Sequence, residues 1–190
     1  AYPASEGTKD IEAAKKVYFG FDNPMDNWTW NVAWFSDPVF LGEYPKEGLE
    51  KFAPYLPEIT KEDMELIHQP LDFMGQNIYN GYMIRCGKDG KPEYVDRAPG
   101  AAKTGTGWPV TPEALHYGIR FLTERYHLPL YITENGMSDL DNISADGQVH
   151  DSERITFLDA YLGAVQRAVN EGVPVLSLIH ISEPTRPRLI

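Results

Sequence analysis

The sequence has little cysteine, little basic charge and no long apolar run. Cys86 is the single cysteine among 190 residues, which excludes an internal disulfide and any site built from several thiolates. The five histidines show no close metal-ligand spacing. Lysine and arginine total 17 against 28 acidic residues, a formal charge of -11, which is the wrong sign for a phosphate-binding surface. We therefore predict no metal site and no nucleic-acid partner.

The apolar segments are also too short to cross a membrane. None approaches the roughly 20 residues that a spanning helix needs, and residues 1–20 lack the basic start and apolar middle of a secretion signal. We expect no membrane partner and a cytoplasmic location. The hydrophobic content of 42% is sufficient for a core, so the chain is interpreted as one globular domain or part of one.

Short helices and prolines alternate in the first third of the chain. Apolar residues at helical spacing predict a helix over 8–18, with Thr8 as its N-cap. Prolines scattered through residues 20–59 predict a long loop with at most one short helix, at 46–52. A helix capped by Thr60 is expected over 60–67.

Strands and helices alternate in the second half, apart from a polar stretch at 87–107 that predicts a loop. The predicted elements are a strand at 71–75, a helix from 111–112, a strand at 128–133, a helix from Asp151 to Gly172 and a strand at 173–176. The last helix is predicted from apolar residues at helical spacing: Ile155, Leu158, Leu162, Val165 and Val169. This order indicates an α/β fold in which right-handed crossovers join parallel strands.

Polar side chains lie where two of these strands end. Active sites of parallel α/β folds lie at the carboxyl ends of their strands. Glu134 ends one strand and suits a nucleophile or a base; the alternative is a solvated strand-end acid. Asn77 and Tyr79 end the other strand two residues apart, so they face the same way. An amide and a phenol suit sugar hydroxyls and a carboxylate partner, although Tyr79 as a core aromatic is the alternative.

Tryptophan is the remaining residue type that suits a sugar site. An indole stacks on a sugar ring or anchors the packing of a loop, and composition alone does not choose between the two. The four candidates are Trp28, Trp30, Trp34 and Trp108.

Several motifs occur together in the order typical of one known family. They are the DP, G and YP residues within 36–45, a DFxGxNYY-like run at 71–79, GWxxxP at 107–112, ITENG within 131–137, a DxxRxxYL-like helix start at 151–158 and GV at 172–173. Across residues 2–175 the chain resembles glycoside hydrolase family 1, the β-glucosidase family of TIM barrels.

This resemblance implies a fold, an activity and a role for each strand-end residue. Residues 1–175 would form roughly the last three βα units of a TIM (β/α)8 barrel. Glu134 would be the nucleophile of a retaining β-glucosidase, and Tyr79 would orient it. Asn77 would be a substrate-side amide and Trp108 an aromatic beside the leaving group. The family needs no cofactor or metal, and its substrate is a β-glucoside or oligosaccharide with a terminal glucose.

The chain also departs from the family's pattern. The acid/base glutamate of the family's TFNEP element is expected ahead of Ala1, so the chain is interpreted as a fragment without its own acid/base. Residues 176–190 do not resemble the family's WSLLDNFEW segment and are interpreted as a tail foreign to it, similar to translated sequencing adapter. Ile78 and Tyr161 stand where the family often has a tyrosine and a histidine.

Two alternatives to a plain β-glucosidase stay open at this point. A 6-phospho-β-glucosidase of the same family would carry basic residues beyond position 175, whereas the stretch 134–138 is more typical of the plain branch. The alternative from another class is an inactive fragment or a sugar-binding remnant.

Overall fold

The computed structural model describes residues 1–21 and 31–180, so Trp28 and Trp30 lie outside the described residues. The chain divides into two compact units, one of residues 1–72 and 83–95 and a second of residues 73–82 and the chain from Asp96 onward. Within the described part, no helix is long and apolar enough to cross a membrane.

Helices and strands are distributed over both units. The helices are α1 (Thr8–Phe19), α2 (Val32–Phe40), α3 (Lys46–Phe52), α4 (Lys61–Ile67), α5 (Pro112–Tyr126) and α6 (Ser152–Asn170), with a short 3-10 helix at Ala53–Tyr55. The strands are β1 (Tyr2–Pro3), β2 (Met74–Asn77), β3 (Met83–Cys86), β4 (Pro92–Val95), β5 (Leu130–Asn135) and β6 (Val175–His180).

The three helices predicted for the first unit are confirmed, with one change of cap. Gly7 rather than Thr8 is the N-cap of α1. Thr60 caps α4 through a capping box, in which its Oγ1 accepts from the backbone N–H of Asp63 at 3.1 Å and the Asp63 carboxylate accepts in return.

Helix α2 was not predicted, because Pro38 lies inside it and removes one backbone donor. A side-chain cap and a long-range packing contact offset that loss. The Asn31 side chain caps the helix by accepting from the Trp34 N–H at 2.8 Å. The Trp34 ring, 7% exposed, packs against the rings of Phe21 and Phe52. The expectation of a loop over this stretch was therefore wrong, since aromatic packing outweighs the proline.

Strands β1, β3 and β4 form one sheet in that order, in which β3 pairs with β4 as an antiparallel hairpin. The hairpin overturns the predicted loop over part of residues 87–107. Its turn contains Asp89-Gly90, and Gly90 has a φ of +80°, which glycine adopts at little cost. Asp-Gly between two runs of alternating residues is the signal that could have predicted it.

Strands β2, β5 and β6 form the second sheet in that order, and every pair is parallel. Helix α5 precedes β5 and α6 precedes β6, which confirms the predicted strand and helix alternation. Strand β2 starts at Met74 rather than Leu71, since Leu71 and Phe73 are exposed and only Met74 is fully buried. Strand β6 runs through His180, within the segment 176–190 that the sequence pattern sets apart.

Helix α5 contributes more buried side chains to the second unit than any other described element, and its predicted apolar positions Leu115, Ile119 and Leu122 are fully buried. Helix α6 behaves differently. The apolar residues that predict it include Ile155 and Leu162, which are 65% and 50% exposed. Its buried side chains lie on another face and include two stacked rings, Phe157 and Tyr161.

Polar contacts join the C-terminal end of α6 to His116 of α5. The ring of His116, 1% exposed, contacts both carboxylate oxygens of Glu171 through Nε2 at 3.0 and 3.1 Å, and its Nδ1 contacts the Arg167 guanidinium. A guanidinium only donates, so Nδ1 accepts and Nε2 carries the proton that is donated to Glu171. Burial and the nearby Arg167 charge lower the pKa of His116 below its usual value, so the neutral ring is the folded form.

We expect the folded chain to lose stability as the pH falls below about 6.5, the usual histidine pKa. Because the His116 pKa is lowered by folding, the unfolded chain takes up the proton first, and the free energy of unfolding decreases on acidification. His116→Gln keeps a donor and an acceptor but does not titrate. Urea midpoints between pH 7 and pH 5 should therefore fall less in this variant. His150→Gln, an exposed histidine, is the control, and an equal pH slope in His116→Gln and the unmodified chain would contradict the assignment.

Candidate active site

The end of the second sheet brings Asn77 and Glu134 together. The two residues are register partners on the parallel strands β2 and β5, at a point where the register shifts by a bulge. The Thr133 hydroxyl donates to the Asn77 side-chain oxygen at 2.7 Å, which fixes the orientation of the amide. Both polar groups thus project from one edge of the sheet, as their positions in the sequence predict.

The Tyr79 hydroxyl donates a hydrogen bond to the Glu134 carboxylate. Tyr79 follows β2, and the backbone N–H of Ile78 donates to the Glu134 carbonyl at 3.1 Å, so the pairing of the two strands continues up to this contact. A phenol that donates to one carboxylate oxygen holds the group in a single orientation and leaves the other oxygen available.

Two residues that the sequence analysis did not propose for the site hold the backbone beside Tyr79. The buried amide of Asn135 donates to the Ile78 carbonyl at 2.8 Å. The hydroxyl of Tyr161, on α6, donates to the carbonyl of Tyr79 itself at 2.7 Å. Asn135 lies inside the ITENG motif, and its position next to Glu134 could have indicated a role in the site. For Tyr161 the sequence shows a departure from the family's histidine but no pattern that indicates a role in the site.

Trp108 stands beside Tyr79, at a ring-centroid distance of 5.5 Å and an interplanar angle of 68°. Its indole is 48% exposed, so it is available to a ligand. The turn that carries it is fastened to the loop after β5 by hydroxyl groups. The Thr106 N–H donates to the Ser138 hydroxyl at 3.1 Å, and the Trp108 N–H donates to Thr104 Oγ1, also at 3.1 Å.

A small cavity of about 60 Å³ opens between these elements. It is lined by Tyr79, Thr104, Thr106, Trp108, Gly136, Met137 and Ser138. A larger, more open cavity of about 760 Å³ lies along residues 97–103 and Pro109, and the residues that line it include no carboxylate. The lining of the small cavity also includes no carboxylate, but its Tyr79 donates to Glu134 and contacts the Trp108 indole, so chemistry rather than size directs attention to the Glu134 edge.

The family model of glycosyl hydrolase family 1 matches residues 1–183, which includes every residue of this site. The chain belongs to glycosyl hydrolase family 1. The match extends beyond Val175, so it includes β6 and the beginning of the segment 176–190.

Several members of this family that are similar to the chain are β-glucosidases. β-Glucosidase A of Thermotoga maritima is 37% identical over 176 residues, which are 91% of this chain and 37% of the relative. The β-glucosidase of an Agrobacterium species is 37% identical over 182 residues, 92% of this chain and 37% of the relative. A solved Thermotoga maritima family 1 β-glucosidase with isofagomine lactam has a TM-score of 0.72 and 36% identity, covering 95% of this chain and 39% of its own. The chain spans less than two fifths of the length of each.

Proposed function

We propose that the protein is a retaining β-glucosidase in which Glu134 is the nucleophile and Tyr79 orients it. The observation that carries the proposal is the Tyr79 hydroxyl bonded to the Glu134 carboxylate at the end of two parallel strands. The relatives named above are β-glucosidases, which favours a neutral glucoside over a 6-phosphoglucoside as the substrate. Asn77 would contact a sugar hydroxyl, and Trp108 would lie against the leaving group.

The proposed reaction proceeds in two displacements. A carboxylate oxygen of Glu134 attacks the anomeric carbon, and the bond to the leaving oxygen breaks as a second carboxylic acid, about 5 to 5.5 Å from the first, gives that oxygen a proton. Water then attacks the glycosyl ester, assisted by the same second carboxyl group acting as base, and Glu134 departs as a free carboxylate. The resemblance assigns the second carboxyl to the family's TFNEP element, so the proposal concerns a protein that supplies it.

The proposal includes the architecture of the barrel. We infer that β2, β5 and β6, with α5 and α6, are consecutive parts of a TIM barrel, whose active site lies at the carboxyl ends of its strands. Two observations support this: the three strands are parallel neighbours, and Asn77 and Glu134 lie at the ends where strands β2 and β5 finish. The cytoplasmic location and the absence of a nucleic-acid partner stay predictions from composition.

Trapping of the glycosyl ester tests the proposal. 2-Deoxy-2-fluoro-β-D-glucosyl fluoride carries a leaving group that departs without a proton donor, so it reports the attack of the nucleophile alone. We expect one fluoroglucosyl adduct on the expressed protein, located by mass spectrometry of its peptides on Glu134. Hydrolysis of 4-nitrophenyl β-D-glucoside is measured in parallel. An adduct on another residue would reject Glu134 as nucleophile, and a protein with neither an adduct nor hydrolysis would be the inactive remnant.

A further inference from the structure

The backbone at Tyr79 needs support that the sheet does not give it. Strand β2 ends at Asn77, so the carbonyl of Tyr79 lies beyond the backbone hydrogen bonds that pair β2 with β5. Tyr79 is half-buried, so its carbonyl is only partly accessible to water and is stabilised by a donor from elsewhere in the protein.

Tyr161 supplies that donor from α6. Its side chain is fully buried and stacks on Phe157, with 3.9 Å between ring centroids, so its rotamer is fixed by packing. Its hydroxyl donates to the Tyr79 carbonyl at 2.7 Å and accepts from the backbone N–H of Thr111 at 2.9 Å. Donor and acceptor are both in use, so the hydroxyl has one orientation.

The second bond connects the same hydroxyl to the start of α5. Thr111 is the residue that precedes this helix, and its own Oγ1 accepts from the N–H of Gly81 at 3.1 Å. The segment that follows β2 is therefore fastened at Tyr79 and at Gly81 to two helices of the same unit. A shift of either helix would be passed to the Tyr79 phenol and so to Glu134.

We propose that Tyr161 is a positioning residue for the reaction, which acts by fixing the Tyr79 backbone so that the Tyr79 hydroxyl remains on the Glu134 carboxylate. This inference rests on the proposed function. Tyr161 lies on helix α6, outside the strand-end motifs, and it helps to fix the position of the nucleophile. Small misplacements of a reacting group lower rates steeply. Loss of the hydrogen bond from Tyr161 to the Tyr79 carbonyl should therefore lower the reaction rate as well as stability.

A double-mutant cycle in a protein that also supplies the second carboxyl group tests the inference. Tyr161→Phe removes only the hydroxyl and keeps the stacked ring, and we expect kcat/KM for 4-nitrophenyl β-D-glucoside and the trapping rate with the fluorosugar to fall about 10-fold. In a Tyr79→Phe background, which has no hydroxyl to position, the same change should cost less than about twofold, because two residues that act through one contact are not additive. A merely structural role would lower activity equally in both backgrounds.

Tyr126→Phe is the matched control. It removes another buried phenol from the same unit, at the last position of α5, about 20 Å along the helix from Thr111 at 1.5 Å per residue. We expect this variant to keep kcat/KM within about twofold of the unmodified protein. Should Tyr161→Phe fail to fold, the cycle is run with Tyr161→Met, which also lacks the hydroxyl donor and fills the space of the ring with a flexible apolar side chain.

The outcomes separate the inference from the proposed function. Unchanged hydrolysis in Glu134→Gln and Tyr79→Phe would overturn the function itself. A loss of activity in those two variants, combined with a Tyr161 effect that is absent or equal in both backgrounds, would overturn only the role of Tyr161. A Tyr161 effect that disappears with the Tyr79 hydroxyl supports it.

Discussion

In a protein that also supplies the second carboxyl group, Glu134→Gln is expected to abolish hydrolysis of 4-nitrophenyl β-D-glucoside and to leave the fold intact. The amide has the shape of the carboxylate, but it cannot form the glycosyl ester, so the first displacement does not occur. Removal of a nucleophile from a covalent mechanism costs on the order of 10⁴-fold or more in kcat, which corresponds to about 5.5 kcal/mol of transition-state stabilisation. Initial rates and the thermal unfolding midpoint are the two measurements.

The fold should survive because the amide oxygen still accepts from the Tyr79 hydroxyl, so no buried donor is left unpaired. Glu124→Gln is the matched control, since it makes the same chemical change on the last turn of α5, away from the sheet edge. We expect its rate to stay near that of the unmodified protein. Near-normal turnover by Glu134→Gln would refute the nucleophile assignment.

Tyr79→Phe is expected to lower kcat/KM by about 10- to 100-fold. It removes the one donor that the Tyr79 ring offers to the carboxylate. Hydrogen bonds to charged groups contribute about 1.5–3 kcal/mol, and each 1.36 kcal/mol is tenfold in rate. The ring stays in place against Trp108, so KM for an aryl glucoside should change less than kcat.

Tyr131→Phe provides the comparison for that variant. Tyr131 lies near the start of β5 and packs its ring on Phe73, so the loss of its hydroxyl tests whether any tyrosine of this sheet matters to the rate. Equal effects of Tyr131→Phe and Tyr79→Phe would show that the Tyr79 hydroxyl has no special part in the reaction.

Local patterns in the sequence predict most of the second unit and less of the first. The apolar spacing of Leu115, Ile119 and Leu122 predicts a helix whose face is buried, because helix and core requirements agree there. Helix α2 escapes prediction, since the packing of Trp34 is a long-range effect and Pro38 is a strong local signal against it. Strand ends are displaced by a few residues for the same reason: burial, rather than apolar character, decides where β2 begins.

The strand-end positions of the candidate site residues could be predicted from the sequence. Glu134 and Asn77 stand at strand ends, a position that sequence periodicity locates. Tyr161 was not predictable in this way, because it lies 82 residues from the carbonyl that it holds. A contact between residues so distant in the chain is fixed by how α6 packs, and no short pattern in the sequence encodes that.

The turn that carries Trp108 is held by hydroxyl groups, and it tolerates substitution more readily than the residues that hold the Glu134 carboxylate. The groups that hold the carboxylate come from the segment directly after β2 and from the buried face of α6, where many substitutions disturb the core. The walls of the cavity come from turns, held by Thr106 and Ser138, and turns accept substitutions and insertions readily. The size and polarity of these walls can therefore change by selection while the Tyr79 and Glu134 pair is inherited unaltered.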